Sequence, residues 1–293
     1  MELKDYLKQG AAQVDAALDA WLPKATRAPA TIHKAMRYSL FAGGKRLRPV
    51  LCLAAAEACG GDPARVMPAA CAVEVMHTYS LVHDDLPCMD DDDLRRGRPT
   101  CHKVFGEGLA VLCGDALLTE AFALVAWMEP VARYSAAAYV RELAAAGGSL
   151  KLIGGQVMDL EGEGRQLTKA QLVKVHEAKT AALLTTSLRL GAMGANATDA
   201  RLEALTTFGQ ALGLAFQVID DILDVTQSTA KLGKTAGKDA GAAKATYPAI
   251  LGLDRSRKEA ARLTAVALAA LAPFGSKAKR LRQIAEYLLV REY

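Results

Sequence analysis

Aromatic residues, strong net charge and paired cysteines are all scarce in this sequence. Only 5% of its 293 residues are aromatic, and the formal net charge is +4. A nucleic-acid-binding protein would display a clustered basic face, which so small a net charge does not indicate. We therefore expect no nucleic-acid partner.

The cysteines form no CxxC pair, and all of them lie in the first 113 residues. They are Cys52, Cys59, Cys71, Cys88, Cys101 and Cys113. This pattern predicts reduced core residues, with neither a zinc site nor disulfides. The sequence also has no uninterrupted apolar signal core at its N-terminus and no charge-free apolar run of about 18 residues. These absences predict a soluble, cytoplasmic protein that does not bind membranes.

Apolar residues recur at helical spacing, whereas the alternation of period two that marks a strand does not persist anywhere. With 52% hydrophobic residues, the chain is long enough to bury a large core. The sequence therefore predicts an all-α fold without strands. We expect one domain over residues 1–293, built as a large helical bundle around a central cavity.

Residues 77 to 98 combine dense acidic charge with basic residues that follow directly. The acidic residues are Asp84, Asp85, Asp90, Asp91, Asp92 and Asp93, and the basic ones are Arg95, Arg96 and Arg98. Burying so many carboxylates is costly unless cations offset them. Mg²⁺ takes oxygen ligands and bridges carboxylates to phosphates, while arginine binds phosphate bidentately. The segment indicates a metal–diphosphate site, although a solvated acidic loop has a similar composition.

A second acidic cluster in an apolar helix favours the metal site over a solvated loop. Positions three, four and seven apart share a helix face, which groups Gln217, Asp220, Asp221 and Asp224. The same spacing groups His77, Ser80, Leu81 and Asp84. Two such helices are expected to face each other across the cavity. A bend at Pro87 would return Asp90 to the metal held by Asp84.

Basic and polar residues accompany both acidic clusters. Gly43 and Gly44 suit a helix end, and Pro49 suits the next helix start, which would display Lys45, Arg46 and Arg48 to anions. Lys179 and Thr180 lie inside an apolar helix, where a lysine either meets a buried anion or extends to solvent. Gln156 and Asp159 share a face towards the cavity. The lysines of a further glycine-rich segment suggest a lid over diphosphate: Lys231, Lys234, Lys238 and Lys244.

Six ordered motifs carry a family resemblance across essentially the whole chain. They are GGKRLRP, DDLPCMDDDDLRRGRPT, GGQVMDL, HEAKT, DDILD and LGKTAGKD. Together they resemble the trans-prenyl diphosphate synthases, which have the isoprenoid synthase fold, and most closely the bacterial farnesyl diphosphate synthase type. The resemblance implies a homodimer that condenses isopentenyl diphosphate head-to-tail with dimethylallyl and then geranyl diphosphate.

The resemblance also assigns roles to individual residues. It implies three Mg²⁺ ions per active site, held by Asp84, Asp85, Asp90, Asp220 and Asp224. It assigns catalysis to Asp84, Asp90, Arg95, Lys179, Asp220 and Lys234. The substrate-binding residues that it implies are Gly44, Lys45, Arg48, His77, Arg95, Arg96, Lys179, Thr180, Gln217 and Lys234. Departing diphosphate would accept the proton, so no protein base is needed.

Product length is expected to depend on Tyr79 and its neighbour Ser80. One helical turn of about 5.4 Å is comparable to one isoprene unit. Tyr79, five positions before Asp84, would then close the cavity floor and limit the product to farnesyl diphosphate. A geranylgeranyl or geranyl diphosphate synthase is the nearest alternative. A class I terpene cyclase, a non-catalytic partner subunit and an acidic calcium-binding helical protein explain fewer of the motifs.

Overall fold

The computed structural model describes residues 1–226 and 245–290, and helices make up nearly all of the regular structure in these ranges. The predicted all-α fold is confirmed. The predicted lid lysines, Lys231, Lys234, Lys238 and Lys244, lie outside the described residues. The helices of the first half are α1 Leu3–Trp21, α2 Ala30–Leu40, α3 Leu47–Cys59, α4 Met67–Asp84, α5 Cys101–Phe105, α6 Glu107–Val125 and α7 Ala136–Gly147.

The second half continues in the same way. Its helices are α8 Leu152–Gly162, α9 Lys169–His176, α10 Ala182–Gly194, α11 Asp199–Thr226, α12 Tyr247–Leu251, α13 Leu253–Ala270 and α14 Lys279–Val290. Short 3₁₀ segments, Pro63–Val66 and Ala272–Ala278, precede α4 and α14. A π-helical turn over Glu177–Ala181 joins α9 to α10.

One short strand pair departs from the prediction that the chain has no strands. Leu94–Arg95 (β1) pairs antiparallel with Arg98–Pro99 (β2). Between them Arg96 and Gly97 have φ of 55° and 74°, which is the backbone that a tight two-residue hairpin turn requires. Strands of two residues are too short to show any period, so the sequence pattern could not reveal them.

Helix α4 runs through the centre of the larger hydrophobic core, and the core helices pack closely. Most α4 residues from Ala69 to Met76 are buried, as expected for a helix covered on all sides. Helix α10 packs against both α3 and α11. At Gly191 of α10 a Cβ atom would lie 2.0 Å from the carbonyl oxygen of Cys52 in α3, so only glycine permits this approach. This close packing holds in place the ends of the helices that carry the polar residues.

Cys88 and the apolar helices α6 and α11 bear on two sequence expectations about exposure. All six cysteines are free, as predicted, but Cys88 is exposed because the loop after α4 carries it to the surface. By length and composition alone, α6 and α11 are apolar enough to cross a membrane. Core helices of soluble proteins pass the same test, and 56% of the α11 window is buried. The expected absence of a membrane partner stays a prediction, as does the single domain.

Arg46 is buried in ion pairs, so the expectation that it is displayed to anions was wrong. Only 3% of Arg46 and 2% of Glu74 is exposed. Arg46 Nη1 donates to Glu74 Oε1 at 2.9 Å, and its Nε donates to Asp15 Oδ1 at 2.8 Å. A third bond from Nη2 reaches the carbonyl of Leu40 at 2.7 Å. Arg46 therefore ties α1, α2 and α4 to the start of α3.

Removing the carboxylate of Glu74 should strongly destabilise the fold. Glu74→Ala leaves the Arg46 guanidinium buried and short of a partner, so we expect the free energy of unfolding to fall by about 3–5 kcal/mol. Glu129→Ala breaks an exposed pair with Arg65 and should cost about 1 kcal/mol or less. Urea unfolding of both variants checks this, and equal small losses would contradict the structural role of Glu74.

Candidate active site

The chain folds back on itself directly after α4, as the bend at Pro87 predicts. The backbone N–H of Asp90 donates to the carbonyl of Asp84 at 2.8 Å, and that of Asp91 donates to Leu86 at 3.1 Å. Asp90 is consequently close enough to Asp84 for its charge to raise the pKa of Asp84. Two carboxylates separated by six positions in sequence thus meet at the C-terminal end of α4.

The environment of Asp84 favours an added cation. Burial raises the pKa of Asp84 to about 6, the charge of Lys179 opposes this rise, and the charge of Asp90 adds to it. A raised carboxyl pKa means that the ionised form lacks sufficient compensation. A divalent cation between Asp84 and Asp90 would supply that compensation.

Asp85 faces a different partner from Asp84. It is 3% exposed and accepts a hydrogen bond from Arg95 Nε at 2.7 Å. Burial raises the pKa of Asp85, and the hydrogen bond from Arg95 opposes the rise. Arg95 Nη2 also lies 3.4 Å from Asp92. Asp85 therefore positions Arg95, and its role as a metal ligand stays a prediction.

The second aspartate cluster lies near the C-terminal end of α11. Asp221 accepts hydrogen bonds from Gln217 Nε2 at 3.0 Å and from the backbone N–H of Tyr247 at 2.9 Å. Asp224 is 6% exposed, and its buried Oδ1 atom has no hydrogen-bond partner within the described chain. Asp220 lies near Arg48, since its charge raises the pKa of that arginine. Asp221 is thus structurally satisfied, whereas Asp224 has an oxygen left to coordinate an ion.

Four arginines surround His77 of α4, and we refer to Arg46, Arg48, Arg95 and Arg96 as the arginine cluster. Burial lowers the pKa of His77 well below its ordinary value, and the charges of all four arginines lower it further. Burial also lowers the pKa of Arg48 to about 10, with Arg96 contributing to the decrease. The pKa of Arg96 is also lowered, chiefly by burial, whereas carboxylate partners raise the pKa values of Arg46 and Arg95. Arg48 and Arg96, whose charges are the less compensated, therefore suit an anion.

Gly44 is needed because Arg96 lies directly on the backbone there. A Cβ atom at Gly44, whose φ is +121°, would come within 2.5 Å of Arg96 Nη1. Arg96 in turn donates a hydrogen bond to the carbonyl of Gly43. The neighbouring Lys45 is exposed. The turn before α3 and the β1–β2 hairpin are thereby joined. A pocket beside them has Arg95 and Arg96 in its lining.

The π-helical turn places Lys179 and Thr180 towards the two acidic clusters. Lys179 Nζ lies 2.6 Å from Asp159 Oδ2 and near Asp84, so this lysine does meet an anion. Thr180 Oγ1 donates to Gln217 Oε1 of α11 at 3.1 Å. At Gly155 of α8 a Cβ atom would lie 2.3 Å from the backbone nitrogen of Lys179. Only glycine at this position lets α8 pack so closely against the π-helical turn.

Tyr79 and Ser80 occupy different sides of α4. Tyr79 is 5% exposed, and its ring lies edge-on to that of His83 at 5.9 Å. His83 Nε2 is 3.0 Å from the carbonyl of Val111, so this ring pair belongs to the contact between α4 and α6. Ser80 is four residues before Asp84 and therefore only about 40° away around the helix.

Glu74 was missed from the sequence, although its position carried a signal. It is a single acid within the apolar run CAVEVMH. An acid in such a run must be paired when the helix is buried. Besides bonding Arg46, its charge raises the pKa of both Arg48 and Arg96. His176, 3.5 Å from Asp221 and stacked on Tyr247, was also not anticipated.

Comparison with known proteins identifies the family. Residues 29–287 match the family described as Polyprenyl synthetase. The chain belongs to this family. This chain is a prenyltransferase, and members of the family bind isopentenyl and allylic diphosphates and use Mg²⁺.

Two plant relatives are similar to this prenyltransferase over nearly its whole length. "Heterodimeric geranylgeranyl pyrophosphate synthase large subunit 1, chloroplastic" of Arabidopsis thaliana is 50% identical, with 99% of this chain and 80% of the relative covered. A chloroplastic geranylgeranyl pyrophosphate synthase of Catharanthus roseus is also 50% identical, with 99% and 82% covered. The names of these relatives contradict the cytoplasmic location expected from the sequence, and that prediction was wrong.

A solved structure supports the same relationship. An FPP/GFPP synthase from Zymomonas mobilis superposes with a TM-score of 0.88 at 35% identity, covering 98% of this chain and 99% of the other. The prenyltransferase assignment therefore rests on both sequence and fold.

The residues present fit Mg²⁺. Asp84 is a buried carboxylate whose pKa is raised by burial and by the charge of Asp90, and Asp224 has a buried oxygen that no described residue satisfies. All of these donors are carboxylate oxygens, which Mg²⁺ prefers.

The lowered pKa of His77 predicts a specific dependence of stability on pH. Above about pH 6.5 the histidine is neutral in both the folded and the unfolded protein. Below that pH only the unfolded protein takes up the proton, so the wild type should lose stability relative to His77→Gln. The loss should approach at most about 1.4 kcal/mol per pH unit. Urea unfolding of both proteins between pH 7.5 and 5 measures it, and a constant difference would exclude a lowered pKa.

Proposed function

We propose that the protein condenses isopentenyl diphosphate head-to-tail with allylic diphosphates and that its main product is geranylgeranyl diphosphate. The observation that carries the chemistry is the arrangement of two acidic clusters beside the arginine cluster. The acidic clusters suit metal-bound diphosphate, and the arginines suit a second diphosphate. Two diphosphate substrates need two such sites.

The acidic clusters and nearby cations would act on the allylic substrate. Asp84, Asp85, Asp90, Asp220 and Asp224 are the residues that would hold Mg²⁺, with three ions expected. When bound, Mg²⁺ would neutralise charge on the departing diphosphate. The remaining proposed binding residues for this substrate are Arg95, Lys179, Thr180, Gln217 and, outside the described residues, Lys234. Fixed positive charge from Arg95 and Lys179 favours breaking of the carbon–oxygen bond, because negative charge develops on the diphosphate.

The second diphosphate, that of isopentenyl diphosphate, would lie at the arginine cluster. Its proposed binding residues are Gly44, Lys45, Arg48, His77 and Arg96. Because its pKa is lowered, His77 is neutral at pH 7 and offers an N–H donor without adding charge. The double bond of isopentenyl diphosphate attacks the allylic cation, and the released diphosphate accepts the proton. A dry apolar cavity protects the cation from water.

The geranylgeranyl product is supported by relatives and by the side chains of α4. The two plant relatives at 50% identity are named geranylgeranyl pyrophosphate synthases. On the helix face of Asp84, the residue one turn earlier is the small Ser80. His83 holds the Tyr79 ring at the contact with α6. A hydrocarbon chain passing Ser80 would therefore meet a small side chain at this turn of α4, which favours a product longer than 15 carbons.

Farnesyl diphosphate is the second candidate, and Tyr79 is the observation in its favour. Tyr79 is a buried aromatic residue about one and a half helical turns before Asp84. At that distance from the acidic cluster its ring would stop a growing chain at 15 carbons. The structural relative from Zymomonas mobilis is named an FPP/GFPP synthase. The two candidates share all steps of the chemistry and differ only in which α4 side chain stops growth.

Product analysis separates the two candidates. Purified protein is incubated with isopentenyl diphosphate, dimethylallyl diphosphate and Mg²⁺, and the dephosphorylated alcohols are separated by length. We expect geranylgeraniol from the wild type and from Tyr79→Ala. Ser80→Phe should shorten the product to farnesol, because it places a ring on the face of Asp84.

Other outcomes of this assay have definite meanings. Farnesol from the wild type, with longer alcohols from Tyr79→Ala, would replace the geranylgeranyl proposal with the farnesyl one. If no Mg²⁺-dependent product forms from any allylic primer, the protein is instead a non-catalytic partner subunit. Omitting Mg²⁺ and adding a chelator provides the control for metal dependence.

We also propose that the chain is one domain that forms a homodimer through α6. This helix exposes apolar side chains, including 41% of Val111 and 55% of Leu112. Trp127, shortly after its end, is 52% exposed. Apolar side chains exposed along one helix favour a contact with the same helix of a second copy, which would bury them.

A charge on α6 should separate the dimer. Leu112→Glu would place a carboxylate in the proposed contact and should halve the mass measured by sedimentation equilibrium. Val157→Glu, at an exposed apolar position of α8, should leave the mass unchanged. A monomeric wild type, or equal behaviour of both variants, would contradict a contact through α6.

A further inference from the structure

A group of potential metal ligands lies beside the active site and takes no part in the chemistry proposed above. One carboxylate oxygen each from Asp91 and Asp93 and one ring nitrogen of His102 all lie within 4.8 Å of one another. The aspartates are exposed on the loop after α4, while His102 is 6% exposed in the first turn of α5. Three side chains that can bind a cation, two carboxylates and one imidazole, therefore converge from two separate segments.

The hydrogen bonds of Thr100 determine which ring nitrogen of His102 is free. Thr100 Oγ1 donates its single proton to the carbonyl of Asp92 at 2.8 Å. The same oxygen is 3.1 Å from His102 Nδ1, so it can only accept a proton from that nitrogen. This bond assigns the proton of the neutral ring to Nδ1 and leaves a lone pair on Nε2.

The lone pair of Nε2 has no use within the described chain. Nε2 of His102 is buried and has no hydrogen-bond partner among the described residues. A buried polar atom without a partner costs free energy, which a bound ligand would recover. Histidine ligands of metals usually donate their other N–H to a nearby oxygen, as His102 does to Thr100. The tautomer that Thr100 favours thus leaves Nε2 as the nitrogen that could bind a metal.

Neighbouring charges limit which cation can bind. Lys103 Nζ lies 2.7 Å from Asp93 Oδ1 and would compete with a metal for that carboxylate. The carboxylate of Asp92 is directed to Arg95 instead. A donor set of one imidazole nitrogen and two carboxylates suits Mn²⁺, Co²⁺ or Zn²⁺ better than Mg²⁺ or Ca²⁺, which favour oxygen alone.

We propose that Asp91, Asp93 and His102 form an accessory binding site for a divalent transition-metal ion. Such an ion would tie the loop after α4 to the start of α5. That loop carries Asp90 and leads into β1 with Arg95, so the ion would hold both in place without touching either substrate. This site is additional to the Mg²⁺ positions of the two aspartate clusters.

Manganese binding to the full chain tests the proposal. Protein stripped of metal is titrated with Mn²⁺ in excess Mg²⁺ and without any diphosphate, so that oxygen-only sites are filled by Mg²⁺. Electron paramagnetic resonance gives the affinity, and electron spin echo modulation detects a coordinated ¹⁴N nucleus. We expect one Mn²⁺ per chain with nitrogen coupling that disappears in His102→Gln.

Two exposed positions keep the test decisive if His102→Gln does not fold. Asp91→Asn should weaken Mn²⁺ binding by about tenfold or more, and Lys103→Met should strengthen it by removing the competing cation. Nitrogen coupling that persists in His102→Gln would assign the ion to another histidine and overturn the proposal. Unchanged affinity in Asp91→Asn would overturn it equally. Because no substrate is present, these results are independent of the prenyl transfer reaction.

Discussion

A single buried carboxylate, Glu74, supports the arrangement of positive charge at the proposed site for isopentenyl diphosphate. It neutralises Arg46 directly, and its charge opposes the lowering of the pKa values of Arg48 and Arg96. Without it, Arg46, Arg48 and Arg96 would have less negative charge nearby to offset them. Burial is the largest cause of the lowered pKa values of Arg48, Arg96 and His77, and neighbouring arginine charges lower them further. Negative charge from a diphosphate would oppose this repulsion between arginines.

The acidic residues obey the same constraint with the opposite sign. Burial raises the pKa of Asp84, with the charge of Asp90 adding to the rise, and Asp224 has a buried oxygen that no described residue satisfies. Lys179 could oppose the rise at Asp84 further, yet its ammonium group is bound at 2.6 Å to Asp159 of α8. If the acidic and arginine clusters paired fully with each other, neither would attract a ligand. Separating them costs stability and retains two sites that bind opposite charges.

Much of this arrangement could be predicted from local sequence. Helical periodicity located α4 and α11, the spacing of the aspartates gave their common faces, and Pro87 gave the bend that returns Asp90 to Asp84. Arg46 could not be distinguished from Arg48 in this way, because all basic residues of GGKRLRP look equally available. What distinguishes them is tertiary: Arg46 meets Asp15 and Glu74, which are 31 and 28 positions away. Long-range partners of this kind leave no trace in a local pattern.

The four aspartates from 90 to 93 show why a run of like charges can serve several purposes. Asp90 turns back to Asp84, and Asp92 pairs with Arg95. Asp91 and Asp93 lie beside His102, and Lys103 pairs with Asp93. In an irregular loop consecutive side chains point in different directions, which composition alone cannot reveal. The turn after Pro87 and the hydroxyl of Thr100, which donates to the carbonyl of Asp92, give the four aspartates their different directions. The run therefore contributes to the proposed Mg²⁺ site, to the support of Arg95 and to the proposed accessory site at the same time.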